Sequence, residues 1–334
     1  MLTVNFLNRL DCVVLSTVLR EDDEDAWLKT RTNGIGGSDI GTICGVNPFS
    51  SARLLYLEKL GMYENDSDQK KAASERMHFG QLLEPIVADE YARRTGKKIA
   101  VSPATYQHKD IPWALANIDR FIVDDNGVPY GILECKTSSE FMNSEWENSD
   151  VPLSYIYQVM WYMFVTGLRY GAIATLVGGN KFYCYEILYD EELVKNILLP
   201  SAEKFWFENV KKLIEPEIDG SQASVDYIKQ KYAECVKDSE IQLIDEVINE
   251  LANTIVVSKA EVKRLEGIIA EAENRIKEKM QEHEIAYTTD HIIKWSPRSQ
   301  RRVNTDILKA NYPDVYEACK KQINYRVFTV RQVG

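Results

Sequence analysis

The 334-residue chain is poor in histidine, with four, and its six cysteines stand singly. Cys12, Cys44, Cys135, Cys184, Cys235 and Cys319 make no CxxC pair and no Cys/His cluster. That spacing argues against a structural zinc or iron–sulfur site and fits the reduced thiols of a cytosolic protein. No run approaches the roughly 18 uncharged apolar residues that a membrane span needs. The stretch from Met1 to Leu19 is partly apolar, but it includes Arg9 and Asp11 and lacks a basic start followed by a small-residue cleavage site, so it reads as no signal peptide. Positive charge is also short: 40 Lys and Arg face 51 Asp and Glu, for a net charge of −11. A balance of this sign disfavours general affinity for nucleic acid, because affinity for phosphate comes from Lys and Arg. What remains is an ordinary globular composition, 45% hydrophobic with 18 tyrosines, long enough for one large domain or two smaller ones.

The charge is uneven along the chain. Residues 1–214 carry 22 basic and 30 acidic side chains, 215–285 carry 9 and 17, and 286–334 carry 9 and 4. The net values are −8, −8 and +5, and a breaker sits at Glu215-Pro216-Glu217. The expected organisation is therefore a core over 1–215, a helical, coiled-coil-like arm over 216–285 and a basic α+β tail over 286–334.

Within the first zone, helices are expected over Asp25 to Thr30, Ala52 to Leu60 and His78 to Arg94, with a polar, mobile segment over 64–75. Between the first two helices lies the glycine-rich turn Asn33-Gly34-Ile35-Gly36-Gly37, followed by a cap at Ser38-Asp39. Trp113 to Val123 and Tyr130 to Thr137 read as strands around the turn signal Asp124-Asp125-Asn126-Gly127. Ser154 to Thr166 is apolar and aromatic enough for a buried helix. Gly171 to Val177 and Lys181 to Leu188 form a second hairpin, and Glu191 to Ile214 an amphipathic helix. This order indicates a central mixed sheet flanked by helices. Beyond it, Ser221 to Glu284 is expected to be helical almost throughout. A strand over Ala286 to Ser296, a helix over Asp306 to Lys321 and a strand over Tyr325 to Val330 follow.

One constellation carries chemistry. Alternation along Ile132-Leu133-Glu134-Cys135-Lys136 puts Glu134 and Lys136 on one face and turns Cys135 away. The hairpin brings Asp119 beside them. Two carboxylates and a lysine at a sheet edge suit Mg²⁺, a hard cation that takes oxygen ligands. Such an ion lowers the pKa of a water and neutralises charge on a phosphodiester, while the lysine orients the water. ExK alone equally describes a solvated cross-strand pair. Glu84, on the helix after His78, is a further ligand candidate or an ordinary surface glutamate. Gln158 sits among Tyr157, Val159, Met160 and Trp161, where an amide needs a partner: the site, or a neighbouring backbone group.

Arg31-Thr32-Asn33-Gly34-Ile35-Gly36-Gly37-Ser38-Asp39-Ile40 and Gly45-Val46-Asn47-Pro48-Phe49 resemble the opening signature of the YqaJ-like viral recombinase family, phage-type exonucleases related to lambda exonuclease. Phe79-Gly80-Gln81-Leu82-Leu83-Glu84-Pro85, Asp119, Glu134-Cys135-Lys136 and Tyr157-Gln158 follow in that family's order, and Asn324 to Val330 is similar to the close of some members. The resemblance implies a PD-(D/E)xK nuclease core and a 5′–3′ exonuclease acting on duplex DNA ends, with Mg²⁺ as cofactor and Mn²⁺ as a substitute. It implies Asp119, Glu134, Glu84 and the backbone carbonyl of Cys135 as metal ligands, Lys136 as the catalytic lysine and Gln158 as its support. Arg31 and Ser38 would hold a terminal 5′ phosphate, a role that a glycine-rich turn opening onto a helix also favours. Arg120 stands where the family has glycine and would touch DNA. A phage single-strand annealing protein of the RecT or Red-beta type is the implied partner, a homo-oligomer such as a trimeric ring the implied assembly, and the host cytoplasm the implied location.

Two alternatives stay open. A RecB- or Cas4-type end-processing nuclease or an endonuclease would share the fold, although Cas4-like proteins group the cysteines that are scattered here. A non-catalytic DNA-binding protein on the same fold is the other, against which the intact Asp119, Glu134 and Lys136 argue. In the tail, Lys294, Arg298, Arg301 and Arg302 around Trp295 read either as a DNA groove with a stacking indole or as a solvated hairpin tip.

Overall fold

The computed structural model describes residues 10–20, 22–62, 67–147, 151–322 and 325–331, with 67–74 described by their backbone alone. Met1 to Arg9 and Asn324, which entered the reading of the two termini, lie outside the described residues. The chain divides into two compact units, Met1–Lys231 and Tyr232–Gly334.

In the first unit, β1 (Cys12–Ser16) leads to α1 (Glu24–Arg31), α2 (Gly37–Ile43), α3 (Ala52–Lys59) and α4 (Ser67–Thr95). Local chemistry sets several boundaries. Asp23 caps α1 by accepting from the Ala26 N–H at 3.0 Å, Ser51 caps α3, and Gly96, at φ +71°, closes α4. Of the polar segment expected to be mobile, residues 67–75 form the first turns of α4, which begins at Ser67, and residues 64–66 lie outside the described residues. Gln69, Lys70, Lys71, Ala72, Ala73 and Glu75 are good helix formers that need no buried face to continue an established helix.

A five-stranded sheet runs in the order β2 (Lys98–Val101), β5 (Arg120–Val123), β6 (Pro129–Ser138), β7 (Tyr170–Val177), β8 (Lys181–Leu188). β6 and β7 are parallel and the other neighbours antiparallel, so the sheet is mixed. α5 (Leu153–Thr166) makes the crossover between the parallel strands. β3 (Thr105–His108) and β4 (Leu115–Asn117) join β1 in a separate antiparallel sheet. The single strand expected from Trp113 to Val123 is thus two strands in two sheets. The chain leaves one sheet after Asn117 and enters the other at Arg120, stranding Ile118 and Asp119 at the junction.

Helices cover both faces of the large sheet. Ile132 of β6 packs into the main core with Val159, Trp161 and Met163 of α5, whereas Leu133 and Cys135 pack with Val87, Ala88 and Tyr91 of α4. The two-residue alternation of β6 accounts for this split. The expected turn is present: the Asp124 carboxylate accepts from the Asn126 and Val128 N–H groups at 2.9 and 2.8 Å, with Gly127 at φ +76°. After β8, a single turn (Glu191–Leu193) passes through π-wound stretches at Val194–Leu198 and Phe205–Lys211 on either side of α6 (Leu199–Lys204). α7 (Gln222–Lys231) ends this unit.

In the second unit, residues 232–245 are not helical, contrary to the expectation, and α8 (Glu246–Met280) follows as one helix of 35 residues. β9 (Ile285–Tyr287) and β10 (Ile292–Lys294) form a small hairpin, followed by α9 (Thr305–Asn311) and α10 (Pro313–Ala318). Pro313, which lacks an N–H, divides the single helix expected there. Tyr325 to Val330 forms no strand, because no neighbouring strand pairs with it among the described residues. No described helix is long and apolar enough to cross a membrane.

Candidate active site

β6, α5 and the junction at Asp119 meet on one side of the large sheet. Glu134 lies on β6 with its side chain toward α5 and is 2% exposed. There Gln158 of α5 donates from Nε2 to Glu134 Oε1 at 2.7 Å, and Lys136 Nζ donates to the same oxygen at 2.6 Å. The other oxygen, Oε2, is buried and has no partner. Asp119, freed from the ladder by the sheet junction, reaches across to accept the Cys135 N–H on Oδ2 at 2.8 Å. Cys135 thus serves the site through its backbone, while its thiol is buried on the opposite face.

Electrostatics sharpens this arrangement. Burial pushes the Asp119 carboxyl well above its ordinary value, and Glu134 and Glu84 add repulsion. Burial raises Glu134 as well, although Lys136 and Gln158 oppose that rise. Lys136 loses hydration, yet Glu134 and Asp119 hold its ammonium firmly protonated. Burial and the same two carboxylates raise Tyr162, which accepts from Gln158 Nε2 at 3.1 Å. The centre therefore crowds the Asp119 and Glu134 carboxyls beside a single lysine.

Glu84, on α4, receives Arg120 Nη1 at 2.5 Å, and the same nitrogen donates to the Asp119 carbonyl at 2.6 Å. Arg120 thus braces the Asp119 junction against α4. Arg31, at the end of α1, donates to Ser38 Oγ at 2.6 Å and stacks over Trp27 at 4.8 Å. Behind it lies a buried pair: Lys59 Nζ stands 2.6 Å from Asp39 Oδ2 and donates to the Arg31 carbonyl at 3.0 Å. Burial would raise Asp39, but Lys59, Arg31 and the Gly36 N–H together hold it below its usual value.

The glycine-rich segment works by close approach and not by positive φ. A Cβ on Gly34 would lie 2.2 Å from the Trp113 carbonyl oxygen, and one on Gly37 would lie 2.4 Å from the Tyr162 ring. Trp161 donates to both the Ile35 and Leu115 carbonyls, at 3.1 and 3.2 Å, which ties this segment to β4.

A cavity of about 660 Å³ gathers Arg31, Ser38, Glu84, Asp119, Arg120, Lys136 and Gln158 in its lining. Glu134 lies beneath it, bonded to two of the lining residues. The candidates from the first unit thus gather around one cavity, whereas Lys294, Trp295, Arg298, Arg301 and Arg302 belong to the second unit. Sequence reasoning missed Trp27, Tyr162 and the Asp39–Lys59 pair. Tyr162 was available from spacing, four residues after Gln158 on the same helical face. The contact between Asp39 and Lys59 spans 20 residues and has no local signature. Among the described residues, no three His, Cys, Asp or Glu side chains converge to hold a metal ion unaided.

The mixed sheet thus brings two carboxylates, a lysine and a buried glutamine to one polar cavity that the Arg31/Ser38 pair also lines. Residues 26–169 match the model of the YqaJ-like viral recombinase domain. The uncharacterized protein YqaJ of Bacillus subtilis (strain 168) is 37% identical over 316 residues, covering 94% of this chain and 96% of that protein. The chain belongs to the YqaJ-like viral recombinase family. Among solved structures, an alkaline exonuclease (LHK-Exo) from Laribacter hongkongensis is similar at 18% identity and a TM-score of 0.44, over 63% of this chain and 98% of that one. A phage related exonuclease from Haemophilus somnus 129PT is similar at 13% identity and a TM-score of 0.40, over 54% and 96%.

Proposed function

We propose that the chain is a divalent-cation-dependent deoxyribonuclease that removes one strand of linear duplex DNA from a 5′-phosphorylated end. The remaining 3′ single strand would pass to a phage-type single-strand annealing protein. The observation that carries this reading is the unpartnered, buried Oε2 of Glu134 beside the raised carboxyl of Asp119. A buried acceptor normally has a partner, and a bound cation would relieve the repulsion between two crowded carboxylates.

The donor set fits a hard ion. Asp119 and Glu134 would hold it, with the Cys135 carbonyl and Glu84 as further oxygen donors. Mg²⁺ suits a site with few protein carboxylates because it keeps several of its waters, and Mn²⁺ would substitute. When bound, the ion would neutralise phosphodiester charge and make a water more acidic.

The chain's own groups do the rest. Lys136, held protonated, would orient the attacking water and stabilise negative charge developing on the phosphate. Gln158 fixes the Glu134 carboxylate so that Oε2 points away from its own bond. Arg31 and Ser38 would grip the terminal phosphate, with the guanidinium supplying charge-assisted hydrogen bonds. Lys136→Ala tests the assignment: cleavage of linear duplex should fall at least ~100-fold, as loss of a charge-stabilising group at a reacting centre does, while binding to the same DNA in Ca²⁺ persists. An unchanged cleavage rate would remove Lys136 from the chemistry.

A further inference from the structure

One hydroxyl on the cavity wall keeps its hydrogen free. Tyr162 of α5 lines the cavity and is 3% exposed. Gln158 Nε2 donates to Glu134 Oε1 at 2.7 Å, which fixes that nitrogen as a donor, and it also donates to the Tyr162 oxygen at 3.1 Å. A phenol can both donate and accept. Here its oxygen accepts, and no acceptor among the described residues takes its hydrogen. A buried donor with no acceptor costs ~1–3 kcal/mol. The hydrogen is therefore available to whatever fills the cavity.

The position of Tyr162 narrows what that is. A Cβ on Gly37 would fall 2.4 Å from its ring, so the ring lies directly against the turn that leads into Ser38. Its hydroxyl meets Gln158, which holds Glu134. Arg31, Glu134 and Asp119 are all near enough to act on that hydroxyl, and burial with the two carboxylates keeps it protonated and hence a donor. Tyr162 thus spans the interval between the Arg31/Ser38 pair and the carboxylates. On the nuclease reading, on which this inference rests, that interval holds the terminal nucleotide. Its 5′ phosphate lies on Arg31 and Ser38, and its 3′ phosphodiester lies at Asp119, Glu134 and Lys136.

The grip on the end decides which bond breaks. Arg31 and Ser38 can hold the next end only if it again bears a 5′ phosphate, so hydrolysis must break the P–O3′ bond. The oxygen of the attacking water bonds to phosphorus, the P–O3′ electron pair leaves on O3′, and one of the water's protons reaches O3′ through solvent. Negative charge develops on O3′ only as that bond breaks. A donor aimed there acts more strongly in the transition state than on the bound substrate.

We propose that the Tyr162 hydroxyl donates a hydrogen bond to the departing O3′ of the terminal nucleotide and keeps its own proton throughout. The test compares two linear duplexes with 5′-phosphorylated ends, one natural and one with sulfur in place of O3′ at its first linkage. A thiolate departs without a donor's help because a thiol is far more acidic than an alcohol. Tyr162→Phe keeps the ring against Gly37 and removes the hydroxyl. In single-turnover cleavage with Mg²⁺ it should slow release of the first nucleotide from the natural end by ~100-fold, the scale of one donor to a developing oxyanion. From the sulfur-linked end it should release that nucleotide at the wild-type rate. Gln158→Ala, which acts through Glu134, should slow both ends by the same factor. Far-UV circular dichroism and binding to duplex in Ca²⁺ should be unchanged in Tyr162→Phe, which places its loss in bond breaking. An equal loss on both ends in Tyr162→Phe, no loss on the natural end, or the same sulfur rescue in Gln158→Ala would overturn the proposal. A wild-type chain that leaves both ends intact would refute the nuclease reading itself, and the role of Tyr162 with it.

Discussion

Replacing Lys59 with methionine would test the frame behind Arg31. Lys59 and Asp39 are paired at 2.6 Å, and their side chains are 5% and 7% exposed. Lys59→Met keeps much of the volume but leaves the Asp39 carboxylate with the Gly36 N–H at 2.8 Å and Arg31 at 3.8 Å. Breaking a buried pair by removing one partner costs ~3–5 kcal/mol. For a unit of this size that lowers Tm by about 6–20 °C. Urea unfolding followed by tryptophan fluorescence is the assay, because five of the six tryptophans lie in the first unit. Acid supplies a check on sign. Asp39 titrates below its ordinary value in the wild type, so its stabilisation is present above the unfolded value of 3.8 and is lost as pH falls through the lower folded value. In the variant, burial is opposed by fewer charges and its folded value rises. The gap between wild type and variant should therefore be widest near neutrality and narrow toward pH 3. A cost below ~1 kcal/mol at pH 7, the scale of an exposed pair, or a gap unchanged in acid, would refute the reasoning.

Two further outcomes follow from the same geometry. Gly37→Ala would drive a methyl to within 2.4 Å of the Tyr162 ring. Overpacking of this kind should cost ~1–3 kcal/mol in urea unfolding and disturb the helix that carries Gln158. Arg31→Ala should erase most of the preference for 5′-phosphorylated over 5′-hydroxyl ends, read as the ratio of initial rates on the two substrates. The loss should be about tenfold or more, since a hydrogen bond to a charged group contributes ~1.5–3 kcal/mol.

Residues whose roles follow from local periodicity were legible in the sequence. Two-residue alternation on β6 places Glu134 and Lys136 toward α5 and Cys135 toward α4. The apolar surroundings of Gln158 announce an amide that must be satisfied, and it bonds Glu134. What escaped depends on contacts distant in sequence. The split of Trp113 to Val123 is set by which partner strands each half meets, and neither partner is visible locally. The glycines look like a flexible turn, but Gly34 and Gly37 serve contacts with Trp113 and Tyr162, 79 and 125 positions away along the chain. Arg120 was expected to touch DNA, and its bond to Glu84 on another helix is not visible locally. The net charge of −11 also concealed local structure, since part of it is the cluster of Asp119, Glu134 and Glu84 around one site.

The central claim is most directly tested by a time course on linear duplex DNA carrying one labelled 5′-phosphorylated end, with Mg²⁺ and with EDTA. With Mg²⁺, the label should appear as mononucleotide from the earliest times while the complementary strand stays full-length, and EDTA should abolish release. Internal fragments, digestion of both strands, or release that persists in EDTA would contradict the account.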